Sequence, residues 1–155
     1  MRRRRAEKHE RKPDLIYNDR MVGLFVNILM LEGKKTKAER IIYGAFDKAQ
    51  GKLNKEPLEI FYQALDNIRP QVEVKPRRIG GATYQIPMEV SRERGFGIAM
   101  RWLRDIVRGK KGKSMVDKLS DELISAFNGE GIAIKKRDDT HRMAEANKAF
   151  AHFRR

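Results

Sequence analysis

The chain has 155 residues, enough for one domain, and its 35 Lys and Arg against 21 Asp and Glu leave a formal charge of +14. Such an excess raises the self-repulsion of a compact state and favours a polyanionic partner, nucleic acid first and an anionic membrane surface second. The absence of cysteine excludes disulfides and thiolate metal sites, and no apolar run approaches the roughly 20 residues of a spanning helix.

Residues 1–17, opening MRRRRAEKHERKPD, bury no face of their own and read as a flexible basic arm. They lack the apolar stretch of a secretory signal, and Glu7, Glu10 and Asp14 argue against a transit peptide, so the cytoplasm is the expected compartment. Asn18 or Asp19 then caps a helix whose apolar pairs Met21/Val22, Leu24/Phe25 and Ile28/Leu29 recur at helical spacing as far as Gly33. Thr36 and Glu39 have the spacing of a capping box for a second helix, which buries Ile41/Ile42, Ala45/Phe46 and Ala49 and ends near Gly51. Pro57 suits the first turn of a third helix through Leu58, Phe61, Leu65 and Ile68, stopped by Pro70.

The period then changes. Val72 and Val74 alternate, as do Tyr84, Ile86 and Met88, around Ile79-Gly80-Gly81-Ala82, which predicts a β-hairpin arm over 72–90. Two strands alone are marginal in water, so the hairpin is expected to project from the helices with its base packed on them. Ser91 opens a fourth helix through Phe96, Leu103 and Val107 to Gly109, and Ser114 a fifth through Leu119, Leu123 and Phe127 to Asn128-Gly129. A sixth covers roughly 133–149, with Phe150 and Phe153 trailing. The expected fold is mostly α: a six-helix single domain over 18–155 with a protruding two-stranded hairpin arm and a basic N-terminal arm.

Gly112-Lys113-Ser114 imitates the end of a nucleotide-binding phosphate loop. The glycine that loop requires five residues earlier is Val107, and a helix precedes it where a strand is needed, so no mononucleotide site is expected. GKKTKAER at 33–40 and GKKGKSMV at 109–116 nevertheless echo each other. Each sets lysines beside a helix N-terminus, where amides and the positive end of the dipole accept phosphate oxygens of a chain. Residues 92–118 hold nine basic and three acidic residues, whereas 54–74 hold two and four, which implies a basic face with helix three on the back.

No constellation for catalysis stands out. His9, His141 and His152 are too far apart for a local metal site, and Asp138, Asp139 and His141 lack a second ligand cluster, so no metal, cofactor or enzymatic activity is expected. Trp102, on a helix, is expected to pack, while Tyr84 near the hairpin tip is an even choice between packing and stacking on a base. On the residues alone, a DNA-architectural basic protein is the first alternative to a structural RNA binder, and an RNA-acting enzyme such as a nuclease, dependent on Asp138, Asp139 or His141, is the second.

The blocks PDLIYNDRMVGLFVNILMLEGKKTKAERIIYGAFD, VKPRRIGGATYQIPMEV and KKRDDTHRMAEANKAFAHFRR together resemble the bacterial small-subunit ribosomal protein seven family, over nearly the whole chain. The resemblance implies a structural constituent of the ribosome that binds small-subunit rRNA in its three-prime major domain and nucleates assembly of the head. It implies rRNA contacts from Arg2, Arg3, Arg4, Arg5, Lys8, Arg11 and Lys12 in the arm, Lys34, Lys35 and Lys37 in the first loop, and Lys75 at the hairpin base. Lys110, Lys111, Lys113 and Lys118 follow at the second loop, with Met115 beside a base; Arg94, Arg101, Arg108 and Arg142 extend the basic surface. The hairpin, through Arg77, Arg78, Gly80, Gly81 and Tyr84, would lie by the exit-site tRNA and the mRNA exit path, and neighbouring head proteins, notably protein eleven, would be partners. No membrane or small-molecule partner is implied. Gly95 and Gly97 stand where relatives have good helix formers, so a frayed or bent first turn of helix four is expected, and with the chain ending at Arg155 no long-tail contact is carried over.

Overall fold

In the computed structural model, which describes residues 12–154, the elements run in the order α1 (Arg20–Leu29), α2 (Lys35–Leu53), α3 (Pro57–Ile68), β1 (Val72–Ile79), β2 (Ala82–Glu89), α4 (Arg92–Gly109), α5 (Met115–Phe127) and α6 (Ile132–Ala146). A 3-10 segment, Lys148–Arg154, follows. Val22, Phe25, Phe46, Phe61, Leu65, Met100, Leu103, Leu119 and Leu123 are fully enclosed and form one core shared by α1 to α5. The Phe61 ring lies 5.5 Å from Phe25 and 5.3 Å from Phe46, within the range where tilted aromatic pairs attract.

The helix ends follow local chemistry, with two corrections: Ser91 holds the cap position of α4 but makes no side-chain cap hydrogen bond, and the second concerns α2. Asp19 caps α1 by accepting from the amides of Met21 at 2.7 Å and Val22 at 2.9 Å, and its other oxygen accepts from the Tyr62 hydroxyl. α1 stops at Leu29, ahead of Gly33, because Met30 turns extended and Glu32 and Gly33 take left-handed backbone. The capping box is not formed: α2 begins at Lys35 with Lys34 at the cap position and no side-chain cap, so Thr36 lies inside the first turn. Glu39 is instead drawn to Lys35, 3.4 Å away one turn back, the i,i+4 geometry that competes with reaching for the backbone. Pro57 occupies the first turn of α3 as expected. Asn67 donates to the carbonyls of Ala126 and Phe127, closing the end of α5 from a neighbouring helix.

α4 is continuous from Arg92 to Gly109, without the expected fraying. Gly95 is buried, and a methyl group there would stand 2.6 Å from Arg69 Cγ and 3.3 Å from the Pro70 carbonyl. The residue is required by close approach of the α3–β1 connection; packing on that connection holds the turn that propensity alone would loosen. At Gly97 a methyl would meet nothing nearer than the Arg101 guanidinium at 3.6 Å.

β1 and β2 pair antiparallel from Val72↔Glu89 to Ile79↔Ala82. Gly80 and Gly81 both have positive φ, +56° and +90°, the combination a two-residue primed turn demands. The ribbon is buried at its base through Val90 and half-way along through Ile86. Its link to the body includes Gln71, whose amide donates to His141 Nε2 on α6 at 3.1 Å.

A candidate nucleic-acid interface

The two lysine loops prove different. The first leads into α2 with its leading amides uncapped by any side chain; Lys34 pairs with Glu32 and Lys35 with Glu39, while Lys37 has no carboxylate partner among the described residues. The second caps itself: Ser114 Oγ accepts from the Asp117 amide at 3.2 Å and donates to the Asp117 carboxylate. Lys110 turns inward to Glu122, a carboxylate only 1 % exposed that also accepts from the Ala133 amide at 2.9 Å and so ties the loop to the start of α6. Lys118 donates to the Lys110 carbonyl, and Lys113 pairs with Asp121 at 2.8 Å, which Lys52 also reaches at 3.1 Å. Those hydrogen bonds hold the half-buried Asp121 carboxyl below its ordinary value. Lys111 alone of the loop's lysines is exposed without a carboxylate partner among the described residues. Met115 is half-buried against the core at the start of α5.

Along α4 the arginines divide in the same way. Arg108 donates to the Leu29 carbonyl at 3.0 Å, closing the end of α1. Arg94 makes a two-pronged contact with Glu73, at 3.2 and 2.9 Å, and Lys75 reaches the same carboxylate at 3.1 Å. Burial pushes the Glu73 carboxyl up, but the hydrogen bonds from Arg94 and Lys75 outweigh it and leave the group below its ordinary value. Arg101 has no carboxylate partner among the described residues and lies on the wall between two clefts. One, about 350 Å³, runs between α1 and α4 over Leu24, Ile28 and Gly97. The other, about 550 Å³, lies between the ribbon base, α4 and α6 and includes Trp102, Lys136 and Thr140. Trp102 packs on the core, as expected for a helical tryptophan, with the Lys136 ammonium 5.5 Å from its ring centre. Arg142, exposed on α6, stands 3.5 Å from Asp139.

On the ribbon Arg78 is exposed, as are Gly80 and Gly81 at the turn. Arg77 donates to the Phe153 carbonyl at 2.8 Å, and the Tyr84 ring meets Phe150 at 5.1 Å and Phe153 at 5.7 Å, so the even choice for Tyr84 falls toward packing. Arg2, Arg3, Arg4, Arg5, Lys8 and Arg11 lie outside the described residues; Lys12 is exposed where the described chain begins. Glu73 and Glu122, which organise the cations, were not singled out by sequence. Glu73 is a lone acidic residue between two valines, whereas Glu122 directly follows Asp121 and nothing local marks it. Among the described residues no group of three or more His, Cys, Asp or Glu side chains is placed to hold a metal ion, and no helix is long and apolar enough to cross a membrane.

A helical body whose loops, ribbon and helix faces carry cations held at their bases by sparse carboxylates is the architecture of a structural polyanion-binding protein. The comparisons make the class specific. The family model described as ribosomal protein S7p/S5e matches residues 1–148, and the chain belongs to that family. It is 54 % identical over 154 residues to the small ribosomal subunit protein uS7 of Thermotoga maritima, covering 99 % of each chain. It is 58 % identical over 153 residues to the uS7 of Anaeromyxobacter sp. strain Fw109-5, covering 99 % of this chain and 98 % of that one. Members of this family are structural and non-enzymatic, and rRNA binding is typical of them.

Proposed function

We propose that this chain is the primary rRNA-binding protein of the small-subunit head, nucleating its assembly on the three-prime major domain of small-subunit rRNA. Membership of the S7p/S5e family, with relatives matched over 99 % of the chain, carries the reading. The mechanism is phosphate neutralisation combined with shape fit at helical junctions, which present distinctive backbone paths where A-form grooves are too narrow to be read by side chains. Lys37, Arg101 and Lys111, with no carboxylate partner among the described residues, are the side chains best placed to exchange solvent ions for phosphates. The ribbon, with Arg78 and the Gly80-Gly81 turn exposed, is assigned to the exit-site tRNA and the mRNA exit path, and head proteins, protein eleven among them, to the remaining partners.

A salt titration of binding to an rRNA fragment from that domain tests the reading. With about eight to ten phosphates neutralised, log K falls against log salt with a slope of about −6 to −9. Replacing Lys37, Arg101 and Lys111 together with Ala is expected to flatten the slope by about 2 to 3 and weaken binding; an unchanged titration overturns the assignment. Deleting Arg78–Thr83 is expected to spare rRNA affinity and to weaken tRNA retention at the exit site. Equal loss of rRNA binding would mean that the ribbon belongs to the rRNA surface.

A further inference from the structure

The ribbon is held along its length. Its base is fixed by the buried Val90 and by the Gln71–His141 hydrogen bond, and the buried Ile86, paired with Lys75, anchors the fourth of its eight rungs. The outermost hold lies two rungs further out, at the pair Arg77↔Tyr84, the sixth of eight rungs counted from Val72↔Glu89. There the 3-10 segment Lys148–Arg154 grips both strands at once. Arg77 on β1 donates to the Phe153 carbonyl at 2.8 Å, and the Tyr84 ring on β2 meets Phe150 and Phe153 at 5.1 and 5.7 Å. All three rings are half-buried in a stretch where the flanking Arg78, Thr83 and Gln85 are exposed, so this contact, with the half-buried Ile79 at the last rung, supplies the apolar burial of the outer ribbon.

From this geometry we infer that Phe150 and Phe153 are positioning residues. The Lys148–Arg154 segment is a strap that sets the direction of the ribbon arm, so that its cationic tip meets RNA from a fixed angle. The physical need is clear. Four rung steps at about 3.4 Å put the tip about 14 Å beyond the Ile86 rung, so a tilt of about 15° there moves the tip about 3.5 Å, the full reach of a hydrogen bond. A two-stranded ribbon has little stiffness of its own. A hold at the sixth rung halves that free length. Tyr84 thereby serves as the strap's seat on the ribbon, in place of a free stacking platform.

The chain's lack of cysteine makes the test direct. Spin labels are attached at Gln50→Cys on α2 and Thr83→Cys near the ribbon tip, both exposed sites, and the label-to-label distance distribution is measured by pulsed electron resonance on the free, full-length chain. Phe150→Ala with Phe153→Ala is expected to widen the distribution about twofold or more while the thermal midpoint of the helical body shifts by no more than a few degrees. Phe150→Tyr with Phe153→Tyr keeps the rings and is expected to keep the narrow distribution. Tyr84→Leu attacks the same contact from the ribbon side, leaves 148–154 intact, and is expected to widen it as the alanine pair does. An unchanged width in the alanine pair or in Tyr84→Leu overturns the strap, as does equal widening in the tyrosine pair. The measurement is made without RNA, so its outcome is separate from what the ribbon binds.

Discussion

Lys110, although it sits in the most lysine-rich loop of the chain, points its ammonium at the enclosed carboxylate of Glu122, which also takes the Ala133 amide. A cation in that position holds the fold together more than it offers charge to a partner. Lys110→Ala leaves a buried carboxylate short of its counter-ion and is expected to cost about 1–3 kcal/mol of stability. Lys111→Ala, next in sequence, is expected to leave stability within about 0.5 kcal/mol and to lower only rRNA affinity and its salt dependence. Urea unfolding of the two variants beside binding titrations separates the roles; equal stabilities would mean that the Glu122 contact contributes nothing.

The two glycines of α4 are expected to respond oppositely to the same substitution. At Gly95 the new methyl meets Arg69 Cγ at 2.6 Å, close to the backbone of a side chain that lies across the helix, so Gly95→Ala is expected to destabilise by about 1–2 kcal/mol. At Gly97 the nearest atom is 3.6 Å away, an ordinary contact, and Gly97→Ala is expected to stabilise by about 0.5–1 kcal/mol through helix propensity. Thermal unfolding of both variants checks the signs.

His141 gives the fold an acid-sensitive joint. Burial, then the nearby Arg137 charge, push its imidazole below the ordinary value, against a smaller opposing pull from Asp138, and its Nε2 is the acceptor for the Gln71 amide. The neutral ring is therefore the folded form. Its contribution to stability is complete above the unfolded value of about 6.5 and is lost as pH falls from there through the lower folded value. His141→Gln removes this titration, so the variant is expected to lose less of its thermal midpoint between about pH 7.5 and 5.5 than the parent chain. Parallel losses would show that other groups govern the acid limb.

At the other end of the described chain, the Asp14 carboxylate is 6 % exposed and accepts from the amides of Ile16 and Tyr17 and from the Tyr43 hydroxyl. Burial first, then the hydrogen bond to Asp14, keep the Tyr43 phenol far above its ordinary value, so it remains a donor across any physiological pH. Tyr43→Phe removes that donor from an enclosed carboxylate and is expected to lower stability by about 1–3 kcal/mol, with faster amide exchange at Ile16 and Tyr17. Unchanged exchange there would show that the turn is held without Tyr43.

The sequence by itself determined the element order, because helical and alternating periods are local and the punctuating residues act locally: Asp19 caps α1, Ser114 caps α5, Pro57 starts α3 and Gly80-Gly81 turns the ribbon. It also determined the polyanionic character of the partner, since net charge is a sum that folding leaves unchanged. Tertiary structure decided which cations are available. Lys110 and Arg108 sit in runs as basic as that of Lys111, yet one faces a carboxylate twelve residues away and the other a helix end in α1. It decided too that Gly95 is a steric requirement set by Arg69, and that Tyr84 is seated against Phe150 and Phe153. Each depends on side chains brought together from distant parts of the chain, and only packing of the helices around a shared core sets those distances.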